Sequence, residues 1–144
     1  MGRLIGIARA KEKLAPLEEM RAAPVTVAAG IEGDARGRNT DRQITVLFRE
    51  GWEAACADVG AKLPWVSRRA NLYVEGVAVP HEGKRLRIGK VVLQVTKETQ
   101  PCHLMDKACQ GLKAALTPDW RGGVCCNVIE GGTIKVGDEV TVTL

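Results

Sequence analysis

The residue best placed to do chemistry in this sequence is Cys102, which follows Pro101 and directly precedes a segment of helical character. It also comes shortly after a long apolar strand pattern, Val91 to Thr96. The N–H groups at a helix N-terminus favour a thiolate over a thiol, and His103 and Lys97 can add positive charge. Because a thiolate attacks sulfur or binds soft metals, we predict that Cys102 carries sulfur or ligates a metal ion.

The alternative for Cys102 is a structural role as a small buried side chain, which is the usual fate of a free cysteine. This fate is expected for Cys56 and Cys109, which fall on or near the apolar faces of predicted helices. Position before a helix therefore suggests a functional thiol only for Cys102.

Two further cysteines, Cys125 and Cys126, are adjacent in the chain. Adjacent side chains of a strand point to opposite faces, so only one of the two can share a pocket with Cys102. A zinc site that joins one of them to Cys102, His103 and Cys109 is an open alternative, although no Cys-x-x-Cys spacing is present.

Arginines cluster in two predicted loops. Arg36, Arg38 and Arg42 follow a glycine-rich turn, and Arg68-Arg69 precede a strand pattern. A planar guanidinium binds phosphate in bidentate fashion, so arginines from both loops would form an anion site if they faced Cys102. The alternative is that these arginines form a solvated surface.

The composition predicts one domain, residues 1–144, with a core built mainly from Val, Ile, Leu and Ala. The chain has 144 residues, 45% of them apolar, but only one Phe and one Tyr beside three Trp. Such a chain is long enough to form a core without disulfides or a structural metal. Its aliphatic residues favour strands over helices.

Charge and hydropathy argue against several classes of protein. The net charge of +4 is spread along the chain, so no arm for nucleic acid is expected. No apolar run is long enough for a membrane span, and the N-terminus lacks the pattern of a signal peptide. We therefore expect a cytoplasmic protein whose five cysteines are reduced. Walker, nucleophile-elbow, His-Glu-x-x-His and Rossmann motifs are all missing from the sequence.

Most of the secondary-structure elements that would position these residues are predicted to be strands. They predict a mainly β fold with a few peripheral helices, in which two hairpins suggest a strongly bent sheet or a barrel. The segment 11–21 is either helix or loop, 30–34 is a turn, and 34–42 is a surface loop. The predicted strands and hairpins are Arg3–Ala8, Val25–Ala29, Ile44–Phe48, Leu72–Val77, Leu86–Val95 and Ile134–Val142, and the predicted helices are Trp52–Val59 and His103–Leu116.

Several short motifs, in order and over nearly the whole chain, resemble the MOSC family, which is named for the C-terminal domain of molybdenum-cofactor sulfurase. The resemblance implies a MOSC-type β-barrel that binds the molybdenum cofactor or handles sulfur for metal–sulfur centres. The motifs are Gly30-Ile31-Glu32-Gly33-Asp34, Arg42-Gln43-Ile44-Thr45-Val46, Arg69-Ala70-Asn71-Leu72, the run Gly89–Thr96 leading to Pro101-Cys102, and Gly131-Gly132-Thr133-Ile134-Lys135-Val136-Gly137-Asp138.

The signature cysteine of the family corresponds to Cys102, as the persulfide site or the molybdenum ligand. Members that sulfurate the cofactor work with a pyridoxal-phosphate cysteine desulfurase, whereas in reductive members the cysteine ligates molybdenum. We expect six further residues to bind the pterin phosphate and the rest of the cofactor. These candidates are Asp34, Arg36, Arg42, Arg69, Asn71 and His103.

The sequence departs from the family pattern after Gly122-Gly123-Val124. Where relatives tend to have an arginine, it has Cys125-Cys126-Asn127, and one expected anion contact is lost. It also lacks the additional domains of reductases and sulfurases, so we expect a desulfurase or an electron-transfer protein as partner. Two alternatives stay open, a molybdenum-dependent reductase of N-hydroxylated compounds and a non-catalytic binding module.

Overall fold

The computed structural model describes residues 2–38 and 41–143, so residues 39 and 40 of the predicted loop 34–42 lie outside the described residues. Short strands follow one another along most of the chain. The strands are β1 Gly2–Arg9, β2 Glu18–Met20, β3 Ala22–Thr26, β4 Gly30–Ile31, β5 Ile44–Phe48, β6 Leu72–Glu75, β7 Arg85–Ile88, β8 Val91–Glu98, β9 Val124–Glu130, β10 Gly132–Lys135 and β11 Glu139–Thr143. The helices are α1 Arg49–Asp58, α2 His103–Ala108 and α3 Leu112–Leu116.

Seven of these strands close into a barrel, as the strand pattern predicted. The ring order is β11, β7, β8, β9, β5, β6 and β1, and β1 pairs in turn with β11. Neighbours are antiparallel except β5 and β6, which run parallel. Closure gives each barrel strand a partner on both sides and so removes free edges. Strand β2 adds to β1, and β10, β3 and β4 form a separate small sheet.

The interior of the barrel is almost wholly aliphatic, in agreement with the composition. Ile44, Val46 and Phe48 of β5 alternate into this core together with Leu4 and Leu93 of other strands. A second apolar core lies between the barrel and the helices. It contains Leu47, Trp52, Ala55, Cys56, Ala70, Met105, Leu112 and Leu116. Within the described residues, no helix has the length and hydropathy to cross a membrane.

Three predictions for the first part of the chain were imprecise. The segment 11–21 contains no helix and instead ends in β2, because Glu18 to Met20 pair with β1. The predicted strand Val25–Ala29 lies earlier, at β3. Gly30 and Ile31, expected in a turn, form β4 because they pair with Thr26 and Val25.

The predicted hairpin at Ile134–Val142 is wrong, although both of its strands exist. Strand β10 pairs with β3, whereas β11 pairs with β7 and β1. The turn between them is held by the carboxylate of Asp138, which accepts a 2.9 Å hydrogen bond from the backbone N–H of Lys135. This turn therefore sends the chain from one sheet to the other.

The predicted helix His103–Leu116 is broken into α2 and α3. Cys109 has an extended backbone, and Gly111 has a φ of 88°, a value at which a glycine is favoured. The helix that follows Cys102 therefore has only six residues.

Candidate functional site

A cavity of about 180 Å³ opens beside Cys102 and is lined by arginines of both predicted arginine loops. Two leucines, Leu14 and Leu104, add apolar surface to its lining. We call it the basic cavity. The lining residues that bear on its chemistry are Arg36, Arg42, Arg68, Arg69, Thr99 and Cys102.

Cys102 is held at this cavity by the end of strand β8. The N–H of Thr99 donates a 2.9 Å hydrogen bond to the carbonyl of Gly123, and residues 99–102 then run outside regular secondary structure. Cys102 directly precedes α2, as predicted, and its carbonyl accepts a 2.9 Å hydrogen bond from Met105. Because α2 is so short, its dipole is a weaker source of positive potential than the arginines. The Cys102 side chain is exposed.

Arg68 is a buried cation that joins two segments of the cavity wall. It lies at the end of a 3-10 turn, Trp65–Arg68, and is only 7% exposed. Its Nε donates to the carbonyl of Gly122 at 3.2 Å, and its Nη2 donates to the carbonyl of Thr99 at 2.9 Å. These bonds hold the segment that leads to Cys102 against the turn that leads into β9.

Burial and the neighbouring charges both act on the pKa of Arg68. Burial lowers the pKa of Arg68 to about 10, and nearby Arg42 also lowers it, whereas Cys102 and Cys125 raise it. Arg68 is still protonated at neutral pH. The pKa of Arg36 is likewise lowered, first by burial and then by Arg42. Several guanidinium groups lie close together in the basic cavity, partly shielded from water, and their mutual repulsion favours the binding of an anion there.

Two of the arginines have buried donors that suit such an anion. The Nε atoms of Arg42 and Arg69 are buried and have no hydrogen-bond acceptor among residues 2–38 and 41–143. Arg69 has a left-handed backbone, with φ 64°, and its Nη2 donates to the carbonyl of Ala15 at 2.5 Å. Since an unsatisfied buried donor is costly, a ligand oxygen at these positions would stabilise the site.

The loop that carries Arg36 and Arg42 is anchored by Gln43. This buried amide donates from Nε2 to the carbonyls of Val27 and Gly37, at 2.7 and 3.1 Å, and its Oε1 accepts from the N–H of Val128 at 2.8 Å. Gly37 packs so closely on the carbonyl of Ala29 that a Cβ there would collide with it. The loop is therefore joined to β9 of the barrel through Gln43 and packed against the turn between β3 and β4 through Gly37.

Three candidate residues lie outside the lining of the basic cavity. The Asp34 carboxylate accepts hydrogen bonds from the N–H groups of Ala10, at 3.0 Å, and Arg36, at 3.3 Å, so it shapes the loop. Asn71 is buried just before β6, and its side chain bonds to Thr45 of β5 and Ala8 of β1. His103 is exposed at the start of α2.

The structure thus brings Cys102 together with Arg36, Arg42 and Arg69 among the candidates. Sequence reasoning missed the wall residues Thr45 and Thr99 as well as the anchor Gln43. Gln43 directly precedes the buried run of β5, and this position was the signal for its role. An amide that is buried at such a place needs several hydrogen-bond partners.

The remaining cysteines take the positions expected for a strand and for core packing. Cys126 points into the barrel core, where burial raises its pKa, whereas Cys125 points to the opposite face. Cys56 lies in the second core, and Cys109 packs against it. Among the described residues, no group of three or more His, Cys, Asp or Glu could hold a metal ion.

A larger hollow of about 570 Å³ lies elsewhere, beside α1. Its lining includes Trp52, Cys56 and the stacked rings of Trp65 and Tyr73, whose centroids are 5.2 Å apart. It is mainly apolar and lacks the arginines and the exposed thiol of the basic cavity. We therefore place the candidate chemistry at Cys102 despite the smaller volume.

Fold and site together define a small β-barrel protein with an accessible thiol on an arginine-lined cavity. The sequence profile of the MOSC domain matches residues 29–141, and the chain belongs to this family. The family is associated with molybdenum-cofactor binding. Among curated proteins, none matches the chain.

Solved structures share the fold at low sequence identity. The YuaD protein of Bacillus subtilis superposes with a TM-score of 0.80 at 21% identity, over 99% of this chain and 96% of that one. YiiM of Geobacillus stearothermophilus gives 0.78 at 18% identity, over 100% and 76% of the two chains. YiiM of Escherichia coli gives 0.74 at 16% identity, over 99% and 70%. These similarities concern the fold alone.

Proposed function

We propose that this protein binds the molybdenum cofactor in the basic cavity and carries sulfur for it on Cys102. The observation that carries the proposal is an exposed thiol on a cavity lined by four arginines. The cofactor combines an anionic phosphate with a soft metal, and guanidinium groups and thiolate sulfur are suited to these two parts.

Phosphate binding would fall to the arginines of the two loops. The buried Nε donors of Arg42 and Arg69 have no acceptor in the described part of the chain, and Arg36 and Arg68 add positive charge beside them. Bound phosphate oxygens would accept hydrogen bonds from these donors and relieve the repulsion between the cations. The residues present therefore fit the anionic part of the cofactor.

Sulfur carriage is favoured over a purely structural thiol by the accessibility of Cys102. A carrier must receive sulfur from one protein and give it to an acceptor, so its sulfur must be reachable from outside. The proposed donor is a pyridoxal-phosphate cysteine desulfurase. Positive charge at the cavity stabilises the anionic persulfide that such a donor would leave on Cys102.

The alternative roles differ in what they require of Cys102. A molybdenum-dependent reductase of N-hydroxylated compounds would use Cys102 as a metal ligand and would need electrons from a separate protein, but no desulfurase. A binding module without catalysis would keep its ligand affinity in Cys102→Ser.

The test compares wild-type protein with Cys102→Ser and Arg42→Ala, each purified from cells that synthesise the cofactor. Bound pterin is measured by fluorescence after oxidation, and sulfur on Cys102 by peptide mass spectrometry. We expect pterin and one added sulfur in the wild type, loss of the sulfur in Cys102→Ser, and less pterin in Arg42→Ala. Arg87→Ala, an exposed arginine of β7, is the matched control.

Absence of both pterin and added sulfur from the wild type, even after incubation with a desulfurase and cysteine, would refute the proposal. Reduction of an N-hydroxylated compound that needs Cys102 but no desulfurase would favour the reductase instead.

A further inference from the structure

A second thiol, Cys125, lies directly behind the wall of the basic cavity. It faces Thr45 across the antiparallel pairing of β9 and β5, and residues directly opposite in such a pair have side chains on the same face. Thr45 lines the basic cavity. The Sγ of Cys125 is 3.3 Å from Oγ1 of Thr99, another wall residue, and the side chain is buried.

Both thiols lie near the same buried cation. Cys102 and Cys125 each raise the pKa of Arg68, so both sulfur atoms are close enough to interact with its charge. Arg36 also interacts with Cys125. Positive charge close to both sulfur atoms suits thiol–disulfide exchange, because exchange passes through negative charge on sulfur.

The segment that carries Cys102 can bring its sulfur towards Cys125. Cys102 is only three residues beyond Thr99, and these residues are outside regular secondary structure. A three-residue segment spans at most about 11 Å, whereas a disulfide needs Cα atoms roughly 4.4–6.8 Å apart. Since the side chain of Thr99 already contacts the Sγ of Cys125, a rearrangement confined to Gln100–Cys102 would be enough to bring the two sulfur atoms together.

We infer that Cys125 resolves a persulfide on Cys102, so that sulfur leaves as sulfide inside the basic cavity. This inference rests on the proposed function, in which Cys102 carries the persulfide. The Cys125 thiol gives up its proton as its sulfur attacks the Sγ of Cys102, a Cys102–Cys125 disulfide forms, and the bond from Sγ to the outer sulfur breaks. The outer sulfur takes the electron pair of that bond and the proton of the Cys125 thiol and departs as HS⁻. The carried sulfur is reduced to sulfide and the sulfur of Cys125 is oxidised, whereas the Sγ of Cys102 exchanges one sulfur–sulfur bond for another and keeps its oxidation state.

The step would release sulfide inside the basic cavity, next to the proposed cofactor site. Arginines surround the cavity, so an anion released there is retained beside the proposed cofactor site rather than lost at once to solvent. The adjacent Cys126 offers a matched control, because it has the same chemistry but points into the barrel core.

The experiment starts from fully reduced full-length protein, which is treated with inorganic polysulfide and then freed of excess reagent without a reductant. Released sulfide is measured with time, and the cysteines are mapped by mass spectrometry. The variants are Cys125→Ala, Cys125→Ser, Cys126→Ala and Cys102→Ala. Cys125 is replaced in two ways so that the test can still be made if one of the two variants does not fold. Circular dichroism checks the folding of each variant.

We expect the wild type and Cys126→Ala to release one sulfide per Cys102 persulfide and to form the Cys102–Cys125 disulfide. Both Cys125 variants should keep the persulfide at least tenfold longer. A persulfide that forms on wild-type Cys102 and decays equally slowly in all folded variants would overturn this inference and leave the proposed carriage intact. A disulfide from Cys102 to Cys109 or to a second chain would also overturn it. Failure of wild-type Cys102 to take up any sulfur would overturn both.

Discussion

The guanidinium of Arg68 donates from Nη2 to the carbonyl oxygen of Thr99, at 2.9 Å, and so fixes the residue from which the chain continues to Cys102. A second bond, from Nε to the carbonyl of Gly122, fixes the opposite segment. One buried side chain thus supplies both a permanent charge and the alignment of two wall segments. Removing it should affect stability and ligand binding together.

Arg68→Met should lower the free energy of unfolding by about 2–3 kcal/mol, because two buried carbonyls lose their charged donor. Urea denaturation measures the loss. The exposed Arg87→Met is the control, for which we expect a change within roughly 0.5 kcal/mol. Equal stability of the two variants would contradict the structural role assigned to Arg68.

Gln43→Leu should also destabilise the protein, by about 2–3 kcal/mol, since the carbonyls of Val27 and Gly37 and the N–H of Val128 lose their partners. Its specific consequence is faster hydrogen exchange of the loop that carries Arg36. Mass spectrometry of exchanged peptides detects this change. Gln110→Leu, at an exposed position, should leave exchange in that loop unaltered. Unchanged exchange in Gln43→Leu would argue against the anchor.

Arg42→Ala should weaken the binding of inorganic phosphate to the basic cavity about tenfold, because a charge-assisted hydrogen bond contributes about 1.5 kcal/mol or more. Titration followed by nuclear magnetic resonance of the arginine side chains gives the affinity. Arg87→Ala should bind as tightly as the wild type. If phosphate shifts the signals of Arg87 and not those of Arg42, the anion site lies elsewhere.

The buried thiol of Cys126 should make stability fall in alkaline solution. Burial raises its pKa above the usual value of 9.0, so the folded protein keeps a proton that the unfolded chain loses. Stability from this group is complete below pH 9 and declines above it, by up to about 1.4 kcal/mol per pH unit. In Cys126→Ala the decline should be shallower. Parallel stability curves for the two proteins would contradict this assignment.

Much of the fold follows from local sequence pattern. The apolar run of β5 and the hairpin of β7 and β8 were predicted because each is defined by neighbouring residues alone. The hairpin of β10 and β11 was not correct, since the choice of partner depends on distant strands. Ile134 pairs with Ala23 and Val140 with Ile88, and no local pattern specifies such pairs.

The candidate site divides in the same way. The chain order indicated Cys102 before a helix and two arginine loops, and the structure places members of both loops around one cavity. The roles of Arg68 and Gln43 depend on which carbonyls face them after folding. A sequence records a side chain's donors and acceptors but not the carbonyls that they meet.

The pairing of Gly2 with Val140 means that the first strand of the barrel in chain order needs the last one as its partner. Until β11 is synthesised, β1 and β7 each lack a neighbour and present open backbone hydrogen-bond groups. Barrel formation must therefore wait for nearly the whole chain, and nascent chains stalled before β11 should be the species most prone to aggregate.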